Sequence, residues 1–302
     1  MINKQAMNRR AFMKKSSYLA MSSTLSCASV RPPQRQYKLG YQLYSVRDAM
    51  ALDPLKTLQS LKKMGYRDFE LYGFDDVAGT YYGYEAREFK DVLDDLELTV
   101  SSGHYSFSPY LMQSDEALLR YIDKCIIAAK EIRSQYITWP WISPELRTIE
   151  YFKLMTQKLN LLGEQVNAAG LGFAYHNHGY EFKDLDGDNG YDIILRDTDP
   201  ALVKLQIDMY WVMHSSFFSP SELIAKQPGR FVMWHIKDMD KVTRDYTELG
   251  NGSIDYVKLL PDPAVSGLEY YYIEQGGNYT SNSMISAAHS ATYFKDKLQQ
   301  FL

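Results

Sequence analysis

Two histidines one residue apart, His176 and His178, lie in the stretch Gly172–Phe182 (GFAYHNHGYEF), where an apolar run turns polar. Residues two apart on a strand share a face, so both imidazoles should leave the same side of the chain. Three later stretches end in the same way. VKLQIDMYW carries Asp208, FVMWHIKD carries His235 and then Lys237, and LEYYYIEQ carries Glu274. Each reads as a β-like run that delivers a ligand-type side chain near its C-terminal end. Imidazoles mixed with carboxylates suit Mn²⁺, Zn²⁺, Co²⁺ or Mg²⁺ rather than a thiolate-seeking metal. The expected metal ligands are His176, Asp208, His235 and Glu274. The groups expected to move protons are Glu274, His176, His178 and Lys237. A metal-free polar pocket is the competing reading.

The elements that must position these groups alternate along the chain. Strands are expected at Leu39–Val46, Asp68–Phe74, Leu98–Phe107, Tyr136–Trp141, Gly172–Phe182, Val203–Trp211, Phe231–Asp238 and Leu268–Gln275. Helices are expected between them: Pro54–Met64, Glu85–Leu96, Asp115–Ile132, Pro144–Ala169, Tyr191–Arg196, Pro220–Lys226, Ile254–Leu260 and a closing Ser283–Phe301. The first of these shows its punctuation plainly. Asp53 is placed to cap it, Pro54 takes its first position and Gly65 ends it. The closing helix should bury a stripe through Ile285, Tyr293, Leu298 and Phe301. Eight strands alternating with helices predict an α/β fold with a parallel sheet, a (β/α)₈ TIM barrel. A doubly wound open sheet is the alternative, weakened because no G-x-G-x-x-G follows the first strand.

Parity within the strands sorts the side chains. Lys204, Gln206 and Asp208 share one face, opposite Val203, Leu205 and Ile207. Met233, His235 and Lys237 oppose Val232, Trp234 and Ile236, and Glu274 shares a face with Tyr272. Glu70 falls with Asp68 and Tyr72, His104 with Ser102, and Gln42 with Tyr44. In a barrel the apolar face meets the helices and the polar face points inward, and sites form at the C-terminal ends of the strands. Gln42, Tyr44, Glu70 and His104 are thus candidate substrate contacts. Trp139, Trp141 and Trp211, with Tyr44, are candidates to wall the apolar face of a sugar. Each of these residues also has a bland reading, as a hydrogen-bonded or ion-paired group of the barrel interior.

Length and composition bound the answer. The 302 residues suit one large α/β barrel, and a composition 45% hydrophobic and 23% charged is that of a globular chain. A formal net charge of −4 argues against nucleic-acid binding, which needs concentrated Lys and Arg. Two cysteines, Cys27 and Cys125, are too few for a disulfide framework or a thiolate zinc site.

Residues 1–37 read as a leader and linker, and residues 38–302 as the barrel. NRRAFMKK, with Arg9 and Arg10, resembles a twin-arginine export signal, and the weakly apolar Tyr18–Leu25 follows it. Thr24-Leu25-Ser26-Cys27 is a loose version of a lipoprotein cleavage site, so a lipid anchor at Cys27 is an open expectation. The expected location is exported and periplasmic.

The phrases GYQLYSVRD, FELYGF, AYHNHGYEF, IDMYWV, WHIKD, LGNGSIDY and IEQ, in this order, resemble the sugar phosphate isomerase/epimerase family, the xylose-isomerase-like barrels. The resemblance covers most of the chain from Leu39 onward. It implies a divalent metal, which the family's epimerases hold with Glu, Asp, His and Glu from the fifth to eighth strands. Asp208, His235 and Glu274 match the last three. His176 stands in place of the first Glu, and Trp211 stands where the epimerases have a histidine. YHNH and WHIKD resemble the exported bacterial branch of the family, whose members are often linked to sugar oxidation and degradation.

The implied activity is proton abstraction next to a carbonyl on a free or oxidised (3-keto) sugar or glycoside. A 3-keto-glycoside lyase or hydratase of the same fold is one alternative, and a non-catalytic carbohydrate-binding barrel is another. An AP-endonuclease-like nuclease would need a basic groove, which the charge opposes.

Overall fold

The protein is seen in a computed structural model, which describes residues 37–302. The leader expectation, with Arg9, Arg10 and Cys27, falls outside the described residues. Eight parallel strands close into a barrel: β1 Gly40–Gln42, β2 Asp68–Leu71, β3 Thr99–His104, β4 Tyr136–Trp139, β5 Gly172–His176, β6 Lys204–Asp208, β7 Met233–Ile236 and β8 Tyr270–Ile273. β1 pairs with both β2 and β8, so no edge is left open. This closure excludes the open doubly wound sheet.

The helices form where the punctuation placed them. Asp53 Oδ1 accepts from the Lys56 amide at 3.0 Å, and Pro54–Met64 ends at Gly65 with φ 105°. A left-handed residue at that point suits glycine, which carries no Cβ to clash. Helices Ala86–Asp95, Asp115–Glu131, Ile149–Ala168, Gly190–Asp197 and Pro220–Lys226 follow in turn. The closing helix differs from expectation. It runs Ser283–Tyr293 and continues through a π-helical turn at Phe294–Leu298. Its buried side is Ala287, Ala291, Phe294 and Leu298, while Ile285 and Phe301 are exposed. Small residues let this helix lie close to the barrel, and the change of helical period at Phe294 rotates the apolar face.

The core has two layers, as parity requires. The outer layer, between strands and helices, holds residues such as Phe69, Ile137, Phe173, Leu205, Trp234 and Ile236. The inner layer fills the barrel with Tyr136, Ala174, Met233 and Tyr272, joined by Val232 from just before β7. A bulge between β2 and β3 pairs Phe69 with Val100 but Glu70 with Ser102. The extra residue allows consecutive serines to reach inward. Ser101 Oγ bonds to Asp68 and to Tyr272 Oη low in the barrel, and Ser102 Oγ donates to Glu70 at 2.7 Å.

Most strands are shorter than expected, because a polar side chain diverts the backbone at the end. Gln42 Oε1 accepts from the Tyr44 amide at 3.0 Å and starts a 3₁₀ turn. Asp208 Oδ1 accepts from the Trp211 amide at 3.3 Å and caps the helix Met209–Ser215. Glu181 accepts from the His178 amide with both oxygens, at 3.0 and 2.9 Å. Beyond the strands, two small antiparallel sheets rim the C-terminal face. One is Phe74–Asp75, Thr80–Tyr81 and Tyr84–Glu85, and the other is Asp238–Met239 with Tyr246–Thr247. Tyr37 lies at the opposite end, where its hydroxyl donates to the carbonyl of Leu268 at 3.1 Å.

Candidate active site

Parallel register places the inward residues of neighbouring strands side by side. Gln42 pairs with Glu70, Glu70 with Ser102, His104 with Thr138, His176 with Gln206, and Asp208 with His235. Glu70 is fully buried and stands at the centre of the resulting network. It accepts from Gln42 Nε2 at 2.8 Å, Ser102 Oγ at 2.7 Å and Gln206 Nε2 at 2.7 Å. His235 bridges Glu70 and Glu274, with Nε2 2.5 Å from Glu70 Oε2 and Nδ1 2.5 Å from Glu274 Oε2. His104 Nε2 lies 2.8 Å from Gln206 Oε1 and 3.1 Å from Glu70 Oε2. Lys237 Nζ forms ion pairs with Asp208 Oδ2 at 2.6 Å and Glu274 Oε2 at 2.8 Å.

These groups set one another's charge. Burial disfavours ionisation of Glu70, but the imidazoles of His104 and His235 outweigh it and hold the carboxyl well below its ordinary range. Burial would likewise neutralise His235, yet Glu70 and Glu274 raise it to about 9. Burial opposes the charge of Lys237 as well, and Asp208 and Glu274 overcome it, raising the ammonium above its usual value. The two carboxylates facing Lys237 respond differently. Asp208 is raised by burial against the pull of Lys237, while Glu274 is lowered because Lys237 and His235 together outweigh burial. The difference is physical, since Glu274 touches two cationic groups and sits nearer solvent. Burial pushes His176 well down and His178 down to about 3, so both imidazoles are neutral.

The expected ligands converge. His176 Nε2 is 3.7 Å from Asp208 Oδ2, and the His176 and His235 rings are 4.5 Å apart. His176 and His178 come together with rings 5.0 Å apart, although not by strand parity, because β5 ends at His176. Above them opens a cavity of ≈ 530 Å³ lined by His104, His176, His178, Lys237 and Glu274, with Tyr44, Tyr72, Tyr105, Trp141 and Tyr246 as aromatic walls. That size lies within the usual range for small-molecule sites.

Four residues fall elsewhere than the sequence suggested. Trp139 is completely buried on the helix side of β4, its ring 5.1 Å from Phe107, because Thr138 takes the inward position. Trp211 lies on a helix behind the cavity wall, 5.7 Å from His178. Gln42 and Glu70, bonded to each other, are both fully buried beneath the cavity and line it with no atom, although Gln42 also accepts from the amide of the lining residue Tyr44. Sequence reasoning missed Tyr105 and Tyr246 as walls and Glu181 as the group that holds the His178 loop. The first Tyr in AYHNHGYEF, Tyr175, donates to Glu181 at 2.7 Å, and that spacing within one short phrase is the available signal.

The donor set fits a divalent cation. His104, His176 and His235 offer atoms within 4.8 Å of one another, as do Asp208, His235 and Glu274, and the two trios share His235. His176 Nδ1 is buried without a hydrogen-bond partner, an uncompensated cost that a ligated cation removes.

Residues 58–261 match the family model described as the xylose isomerase-like TIM barrel. The chain belongs to that family. Among solved structures, this xylose isomerase-like barrel is similar to a sugar phosphate isomerase/epimerase from Parabacteroides distasonis. The two are 24% identical with a TM-score of 0.76, over 89% of this chain and 97% of that one. The IOLI protein with a bound zinc atom is 14% identical, with a TM-score of 0.67, over 88% of this chain and 98% of that one. A probable 3-DHS dehydratase, AsbF, from Bacillus anthracis is 12% identical, with a TM-score of 0.65, over 85% and 98%. These likenesses concern the fold. Among curated proteins, none matches the chain by sequence.

Proposed function

We propose that this xylose isomerase-like barrel is a divalent-metal-dependent enzyme that abstracts a proton next to a carbonyl, as an isomerase or epimerase does. Its substrate is a free or oxidised (3-keto) sugar or glycoside. One observation carries the reading: an ionised carboxylate, an ammonium and neutral imidazoles all face a single aromatic-walled cavity at the C-terminal ends of the strands. The cation is Mn²⁺, Zn²⁺, Co²⁺ or Mg²⁺, with His176 and His235 among its ligands and either Asp208 and Glu274 or His104 completing the set. When bound, it supplies the positive charge that polarises a carbonyl and favours an enediolate.

The chain's own groups divide the remaining work. Glu274 is ionised and lines the cavity, so it is placed to take the proton from carbon. Lys237 stays charged, fixes the Glu274 carboxylate and stands ready to donate to a substrate oxygen. Neutral His176 and His178 can accept a proton, and Glu181 sets the position of His178 through its backbone. Tyr44 and Trp141, each partly exposed at the mouth, give a sugar flat surfaces to lie against. An unphosphorylated substrate is favoured by export, if NRRAFMKK at Arg9-Arg10 is a twin-arginine signal.

A second reading, a 3-keto-glycoside lyase or hydratase, is favoured by His176 at the place of a glutamate. Glu274 is then the sole carboxylate lining the cavity, facing imidazoles. Such a pairing suits elimination, where the group taking the proton and the group serving the leaving oxygen differ in kind. NMR in D₂O separates the readings when metal-loaded protein meets keto-sugars and 3-keto-glycosides. Deuterium entering an intact substrate supports isomerase or epimerase chemistry, and loss of aglycone or water supports lyase or hydratase chemistry. Neither exchange nor loss of aglycone or water on any of them counts against both.

A further inference from the structure

If Glu274 takes the proton from carbon, an elimination still needs a group that gives one to the departing oxygen. Lys237 can donate a hydrogen bond, but not readily its proton. The ammonium stands 2.6 Å from Asp208 Oδ2 and 2.8 Å from Glu274 Oε2, and losing its charge would strand two buried carboxylates. Four phenols also line the cavity: Tyr44, Tyr72, Tyr105 and Tyr246. The hydroxyl of Tyr105 is tied to that of Tyr81 at 2.6 Å. Tyr44 and Tyr72 pack edge to face, 5.3 Å apart, beyond β1 and β2. Tyr246 stands on the other side, with Lys237 Nζ 5.9 Å from its ring centroid. Its amide donates to Asp245, and its hydroxyl has no hydrogen-bond partner among the described residues.

The surrounding loops hold this phenol firmly. Tyr246 pairs with Met239 in the short antiparallel sheet. Asp238 is buried, and its Oδ1 accepts from the amides of Met239 at 2.8 Å and Ile254 at 3.2 Å. Its Oδ2 accepts from those of Gly250 at 2.9 Å and Gly252 at 3.0 Å. Glu248, also buried, accepts from the amide of Thr280 at 2.9 Å and from its hydroxyl at 2.7 Å, which fastens the Tyr246 loop to the one after β8. A Cβ on Gly276 would fall 2.7 Å from Tyr246 Cε2, so a glycine there makes room for the ring. A reactive group held by locked neighbours is what a preorganised site requires.

We propose that Tyr246 is a catalytic residue, the acid that protonates the departing oxygen in elimination from a 3-keto-glycoside. This rests on the lyase reading given above and names its second proton-transfer group. Glu274 takes the proton from the carbon next to the carbonyl. The electron pair of that C–H bond forms a C=C bond to the adjoining carbon. The bond from that carbon to the glycosidic oxygen breaks, and the oxygen keeps its pair and receives the Tyr246 proton. The phenolate left behind faces the Lys237 ammonium, an opposite charge that favours it. Water then takes the proton from Glu274 and returns one to Tyr246, which restores both groups.

The test compares metal-loaded parent protein and Tyr246→Phe on methyl and p-nitrophenyl 3-keto-glucosides, by NMR in D₂O and by absorbance. Methoxide needs a proton in order to leave, whereas p-nitrophenolate is stable without one. Tyr246→Phe should slow methanol release by at least about 100-fold, the lower end of acid–base assistance. Its loss on the p-nitrophenyl glycoside should be smaller by at least about tenfold, because little proton transfer is required there. Deuterium should still enter the unreacted methyl glycoside, since Glu274 is intact. The substitution removes one oxygen and keeps the ring, and circular dichroism with melting checks the fold. Equal losses on the two glycosides, or a raised KM with kcat kept, overturn Tyr246 as the acid and leave the lyase reading standing. A parent protein that releases neither aglycone overturns the lyase reading, and this assignment with it.

Discussion

Replacing Lys237 with methionine keeps the length of the side chain and removes its charge. Asp208 and Glu274 would then face each other around an apolar group, with no ammonium at 2.6 and 2.8 Å. Breaking a buried ion pair from one side costs roughly 3–5 kcal/mol, because the remaining charge is left without compensation. In a barrel of this size that is a fall in melting temperature on the order of 10 °C. The penalty depends on pH with a definite sign. Glu274 is held below its ordinary value, so its contribution is present above the unfolded carboxyl value of about 4.3 and is lost as pH falls through the folded value. Without Lys237 that depression shrinks, and both carboxyls can escape the cost by taking up protons. Parent and variant should therefore differ most at neutral pH and converge toward pH 4.5. Urea unfolding of chelator-stripped protein at both pH values measures this. Lys237→Met with Asp208→Asn should lose less than the two single changes added, by about 1–3 kcal/mol of coupling. A Lys237→Met loss below about 1 kcal/mol at pH 7, the range of an exposed pair, or an equal loss at both pH values, would refute the internal-cation account.

Other outcomes follow from the same geometry. Glu274→Gln should keep the fold and lower turnover by at least about 10²-fold, the lower end of general acid–base assistance; deuterium exchange at the parent rate would remove Glu274 as the base. Burial raises Glu181 from 4.5 to about 7, so its contribution is present below pH 4.5 and is lost as pH rises through 7. Glu181→Gln should flatten that slope by up to about 3 kcal/mol, measured by denaturation at pH 5 and pH 8, and an unchanged slope would show that Glu181 does not titrate there. Replacing Arg9 and Arg10 with Lys should hold the protein in the cytoplasm if the leader is a twin-arginine signal, as fractionation would reveal, and acyl mass on Cys27 decides the anchor separately.

The parts of this molecule that strands and caps dictate were legible in advance. Asp53, Pro54 and Gly65 bounded a helix correctly because all three act through local backbone geometry. Asp208, His235, Lys237 and Glu274 were assigned inward by parity alone, and all four meet inside the barrel. Parity failed where the backbone left the strand. The backbone turns at His178 and Trp211, where their amides donate to Glu181, three residues later, and to Asp208, three residues earlier, hydrogen bonds that strand parity does not reveal. Trp139 was assigned by residue type rather than by parity, and the inward place belongs to Thr138. The bridging roles of Glu70 and Lys237 were not legible, since each joins strands more than twenty residues apart.

Tyr37 enters β1 at the end of the barrel opposite the cavity, held there by its bond to Leu268. A group attached at Tyr37 itself, such as a resin or a fused reporter, approaches from the floor of the barrel. Immobilising the barrel at Tyr37 should thus leave substrate entry unobstructed, and a biosensor or flow reactor built that way would need no long spacer. Attachment through the rim loops around Tyr44, Trp141 or Tyr246 would cover the entrance instead.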